Sequence, residues 1–128
     1  MTDLLAKGSE WLEAERTKHL TRPATYQRGA ESVELASTVG QTVFRIDKGY
    51  GVHEHYESRD YLVLAVDLIL GGAAVLPKAG DRVREVDGGK AFVYEVMAPG
   101  NEPAWRYSDP YRRTLRIHTK LVATEDAP

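Results

Sequence analysis

The sequence predicts a mainly β fold, a small barrel or sandwich of short antiparallel strands preceded by one N-terminal α-helix. Three observations carry that expectation. Apolar residues recur near every 3.6 positions before Pro23 and near every second position after it. Eleven glycines and six prolines cut most of the chain into short runs. At 87–89 the tripeptide Asp-Gly-Gly lies between two β-rich runs, and glycine supplies the positive φ that a tight hairpin turn requires.

The helix is expected over residues 2–20. Leu4, Leu5, Trp11 and Leu12 form its apolar stripe, with Gly8 among them, while Lys7, Glu10, Glu13 and Arg16 lie mostly opposite. Thr2 or Asp3 can cap its start, and Pro23 ends it by forcing Arg22 out of helical angles. So narrow a stripe gives a helix that is marginal alone and must dock on its own domain or a neighbouring subunit.

Strands follow. ATYQRG ends at Gly29, SVELAST puts Val33 and Leu35 on one face, and QTVFRI runs from Gly40 to the glycine-rich turn DKGYG. SRDYLVLAV reads as a central strand, after which paired glycines and Pro77 mark irregular chain. DRVREV and KAFVYEVM make the hairpin, with Phe92, Tyr94 and Val96 inward and Glu95 outward. Three prolines make 98–110 a loop, RRTLRIHTKL is the final strand, and 122–128 reads as a frayed tail. The whole is one domain over 1–128, its sheet spanning 23–121.

Composition excludes several functions. With no cysteine there is no disulfide, thiolate nucleophile or cysteine zinc site. A net charge of -2 argues against a dedicated nucleic-acid binder, whose affinity rests on excess cation. The N-terminus is charged throughout, so no secretory signal is expected, and YLVLAVDLIL is half a membrane span with Asp67 inside it.

The chemically densest stretch is EPAWRYSDPYRRTLRIHTK, residues 102–120. Strand alternation sends Leu115 and Ile117 inward and Thr114, Arg116, His118 and Lys120 outward. Two readings stay open. The outward stripe is solvated and paired locally, for instance with Glu95 across the strands. Alternatively Arg106, Arg112, Arg116 and Lys120 meet DNA or an acidic partner, with Trp105 and Tyr107 as stacking platforms. The near-neutral chain favours the first, and then Trp105, Tyr107 and Tyr111 pack on their own domain or on a neighbouring subunit. His53 and His55 share a face and can begin a metal site, but no third ligand is marked, though His19, His118 or a carboxylate can converge. Ser58, Asp60 and a histidine suggest a triad, yet nothing like a nucleophile elbow surrounds Ser58. No catalytic, metal or cofactor site is therefore expected.

The order of elements carries a resemblance. A helix leads into strands, then Tyr61–Val63, Gly80-Asp81-Arg82-Val83, Tyr94-Glu95-Val96 and the WRYSDPYRRTLRIHTK ending. This pattern resembles the head–tail joining proteins of tailed bacteriophages, the stopper or attachment proteins of the neck. The resemblance implies a structural virion protein, made in the host cytoplasm, that closes the head and offers a surface for the tail. It also implies a ring, usually of six copies, with portal and adaptor proteins on one side and the tail terminator or tail tube on the other. Genomic DNA passes close by, and no membrane is involved. Contacts with neighbours are then expected from the helix with Trp11, from loops 47–58 and 98–111, and from Trp105, Tyr107 and Tyr111.

Overall fold

In this computed structural model, residues 21–100 and 102–127 are described. Nine strands follow in chain order: β1 (Arg22–Arg28), β2 (Glu31–Gly49), β3 (Val52–Leu64), β4 (Ile69–Leu70), β5 (Ala73–Ala74), β6 (Arg82–Asp87), β7 (Lys90–Val96), β8 (Trp105–Tyr107) and β9 (Thr114–Asp126). Among the described residues the only helical element is a 3-10 turn at Ala65–Asp67. The helix expected over 2–20 lies outside the described residues.

Seven strands form one antiparallel sheet in the order β3-β2-β1-β6-β7-β9-β8. The sheet curls, and β3 also pairs with β9 over Arg59–Leu64 and Thr114–Thr119. It is a large antiparallel sheet and not the closed barrel or two-sheet sandwich that the many short runs suggested. The reason lies in strand length. β2 runs unbroken for 19 residues and β3 for 13, so a long β2–β3 arm extends past the pairing with β9. From Thr119 onward β9 turns to pair with β7.

Alternation explains the core. Ala24 and Tyr26 of β1, Leu35 of β2, Tyr61 and Val63 of β3, and Val83 of β6 point inward. Leu115 and Ile117 of β9 and Val96 of β7 complete the same cluster. Burial of each of the valine, leucine and isoleucine side chains contributes about 1.5–3 kcal/mol relative to exposure. The Asp-Gly-Gly hairpin forms as expected, with Asp87 opposite Lys90 and Gly88 and Gly89 both at positive φ. On β7, Tyr94 and Val96 face the core, whereas Phe92 is half-buried outside it.

Two boundaries differ from expectation. Gly40 does not break the second strand; it lies mid-strand because a Cβ there would stand 3.1 Å from the Arg116 guanidinium and 3.2 Å from Leu62. Residues 122–126 are not a frayed tail. They continue β9 along β7, with Phe92 opposite Thr124, Lys90 opposite Asp126, and a bulge near Tyr94 absorbing one residue.

Candidate interaction surface

The 98–113 segment is fastened rather than loose. The Asp109 carboxylate accepts the backbone N–H groups of Tyr111, Arg113 and Thr114 at 3.0, 3.0 and 2.8 Å. The backbone N–H of His118 donates to the Ala104 carbonyl at 2.9 Å, which pins β8 to β9. Trp105 and Tyr107 thus stand on a strand, half-buried against the core, with rings in edge contact at 5.1 Å. Arg112, at φ 58°, holds its guanidinium 5.9 Å from the Tyr107 ring, and Arg113 lies 5.7 Å from that of Tyr111.

The N-terminal half of β9 corrects the sequence reading most. Leu115 and Ile117 are fully buried, as alternation requires, but Thr114, His118 and Thr119 are buried too. Apart from the exposed Lys120, the outward stripe is therefore not solvated. Its cause is Asp60, which lies opposite His118 on β3 and is itself fully buried. His118 Nδ1 stands 2.8 Å from Asp60 Oδ1, Ser58 Oγ donates at 2.5 Å, and Arg116 Nε donates to Oδ2 at 2.7 Å. Thr42 of β2 donates to the same oxygen. Arg116 reaches further, to the Gln41 carbonyl at 3.1 Å across the space that Gly40 leaves. Burial alone would raise the Asp60 pKa. The hydrogen bonds from His118, Ser58, Thr42 and Arg116 outweigh it and hold the carboxyl well below its usual range.

This cluster joins Ser58, His118 and Asp60, yet it cannot act as a nucleophilic triad. A triad histidine bridges serine and acid through its two different nitrogens. Here Ser58 gives its proton directly to Asp60, and His118 presents the same Nδ1 to both, at 2.8 Å from Asp60 and 3.4 Å from Ser58. The His118 ring meets the Phe44 ring edge-on at 5.0 Å. Its geometry is that of a structural clamp between β2, β3 and β9.

Two further buried carboxylates follow the same rule. Glu85 takes both oxygens to the Arg59 guanidinium, at 2.8 and 3.1 Å, and Arg59 lies 4.9 Å from the Tyr94 ring. Asp81 accepts from Arg28 at 2.8 and 3.0 Å, from the Tyr26 hydroxyl, and from the Lys78 amide at 3.0 Å. Burial would raise the Asp81 pKa, but the Arg28, Tyr26 and Lys78 bonds lower it.

The four cations of the DNA reading separate. Arg116 is half-buried and bound to Asp60. Arg106 is exposed on β8 and Arg112 in the turn after it, and Lys120 is exposed on β9 opposite Glu95. The outward acid Glu95 makes its ion pair with Arg82 of β6, at 3.7 Å, rather than with an arginine of β9. His55 is exposed on β3, and among the described residues no group of three or more His, Asp or Glu gathers to hold a metal. Trp11 and His19 lie outside the described residues.

The segment 47–58, expected to be a loop, is instead the tip of the β2–β3 arm, turning at Tyr50 and Gly51. Val43 is 57% exposed and Tyr50 is fully exposed. A cleft opens where β3 and β9 splay, lined by Tyr56, Glu57, Arg59, Tyr94, Lys120 and Leu121. Among the described residues, the exposed surface thus includes an arm, a cleft and the arginines Arg106 and Arg112, while the Asp60, Asp81 and Glu85 clusters are interior.

No curated protein matches the chain. A profile of the phage head-tail joining protein family matches residues 2–126, and with nearly all of the sequence covered, this chain belongs to that family of structural virion proteins.

Proposed function

We propose that this protein acts in the neck of the phage particle, closing the filled head and offering the surface to which the tail attaches. The family match over 2–126 is the observation that carries this reading. The way the sheet uses its polar groups supports it. The buried carboxylates bind arginine, histidine, tyrosine and backbone donors within the sheet, which suits a load-bearing part. In this reading the chain assembles as a ring of six, with portal or adaptor proteins on one face and the tail terminator or tail tube on the other. Head-to-tail contacts close such a ring by rotation. Trp11, Tyr111 and the exposed rims of Trp105 and Tyr107 are proposed to meet those neighbours. Arg106, Arg112 and Lys120 are proposed to line the path of the DNA or to face an acidic partner. A tight nucleic-acid binder is the weaker reading, because Arg116 is committed to Asp60 and Trp105 packs on the core.

The test is a null allele in the phage or prophage that carries the gene. Lysates are expected to contain packaged heads and free tails that do not join, and a plasmid copy of the gene is expected to restore infectious particles. Normal titres from the null allele would overturn the reading.

A further inference from the structure

Among the described residues, the β2–β3 arm carries two strand edges that no further strand pairs, and the register gives their directions. His118 of β9 donates its N–H to Ala104 and accepts from Met97, so the even-numbered backbone groups of β9 face β7 and β8. Its odd-numbered groups therefore face β3, where the register sets them opposite Arg59, Tyr61 and Val63. By alternation, the even-numbered groups of β3 face β2 and its odd-numbered ones face away. Over Val52–Ser58 no described strand other than β2 pairs with β3, so the backbone groups of residues 53, 55 and 57 form an open edge. The same register turns the even-numbered groups of β2 toward β3 and leaves residues 39, 43 and 45 pointing the other way, beyond the last β1 pair at Ser37.

Neither edge is blocked by proline or lysine. Residues 52–58 contain no proline or lysine, and neither do 39–46. The charges differ in sign. The β3 stretch holds Glu54 and Glu57 with no lysine or arginine, whereas β2 over 39–48 holds Arg45 and Lys48 against Asp47. A β3 edge set against another β3 edge would oppose glutamates, but a β3 edge set against a β2 edge brings unlike charges together. Where the arm lies along the rotation axis, β2 of the next copy also stays antiparallel to β3 of the first, which is the favoured pairing.

We infer that the arm is a self-association element: the β3 edge at residues 53–57 of one copy adds to the β2 edge at residues 39–45 of the next, head to tail. The inference rests on the ring proposed above only for the number of copies. Val43, exposed on the β2 side, is then covered by the join.

Proline tests each edge separately, because at an outward-facing position it removes no bond of the β2–β3 ladder. By sedimentation velocity at rising concentration, the wild-type chain is expected to self-associate. His55→Pro and Val43→Pro are each expected to weaken association at least tenfold, while His55→Ala keeps it. A mixture of the two proline variants retains one intact edge of each kind and is expected to form a dimer that grows no further. Amide exchange read residue by residue is expected to be fast at 55 and 57 in dilute protein and slowed on association. A wild type that stays monomeric, proline variants that associate normally, or a mixture that extends beyond two copies would overturn the inference. Protection of the 55 and 57 amides in the dilute monomer would also overturn it, since the first twenty residues of the chain would then cover the edge. Normal self-association in a protein whose null allele leaves head–tail joining intact would count against the neck reading instead.

Discussion

β2 and β3 run side by side from Thr38 and Leu62 to Gly49 and Val52, yet the two halves of this ladder are different materials. Near Asp60 both faces are covered, and side chains from three strands converge on one carboxylate. Beyond Ser58 the same two strands keep their ladder but have no third strand among the described residues, and Val43 and Tyr50 stand in solvent. The β2–β3 ladder itself continues through both halves, so it does not distinguish them. Burial and the polar clamp do, which assigns stability to one half and leaves the other available for contact.

The sharpest way to break the comparison is to remove the clamp. Asp60→Ala leaves His118 buried and Arg116 half-buried without their anion, and is expected to cost about 3–5 kcal/mol, read as a fall in urea midpoint or Tm. A loss below 1 kcal/mol would mean that the clamp does not separate the halves. Acid is the milder version of the same experiment. Asp60 and Asp81 have folded pKa values below their unfolded ones, so their stabilisation is complete above the ordinary carboxylate range. It is lost as pH falls from about 4 through the depressed folded values. Stability followed by chemical denaturation from pH 7 to pH 2 is expected to drop in that window, and Asp60→Asn is expected to flatten part of the drop.

The arm is expected to respond with the opposite sign. Tyr50 holds φ 53° at the exposed turn, a conformation that glycine adopts without strain. Tyr50→Gly is expected to raise monomer stability by about 0.5–1 kcal/mol, visible as a small rise in Tm. The smallest effect belongs to a surface pair. Lys90 and Asp126 meet at 2.6 Å with both side chains largely exposed, and Lys90→Ala is expected to change stability by no more than about 0.5 kcal/mol.

How much of this was legible in the sequence follows the same divide. Alternation gave Leu115, Ile117, Tyr94 and Val96 correctly, because a half-buried strand has a period of two. It failed at His118 and Arg116, since a strand covered on both faces has no outward side. One signal was present. Arg59 and Asp60 stand directly before the apolar run Tyr61–Leu64 that ends β3, and charges carried into a buried strand need partners. Those partners, Glu85 and Arg116, lie 26 and 56 residues away, and only the register unites them. Gly40 misled for a related reason, as local sequence cannot show a guanidinium arriving from β9. Reading 98–110 as plain loop missed β8, a strand of three residues that exists because β9 offers it an edge.

The placement of β9 has a consequence for biosynthesis. It is the latest of the described strands to leave the ribosome, and it alone joins β3 to β7 and β8. It also brings two of the groups that neutralise or bind Asp60. A nascent chain stalled before Thr114 would hold hairpins around a carboxylate lacking its cation, so the fold is expected to close only once β9 has emerged. Messages truncated before the Thr114 codon should accordingly yield material for proteases rather than subunits able to poison a growing particle.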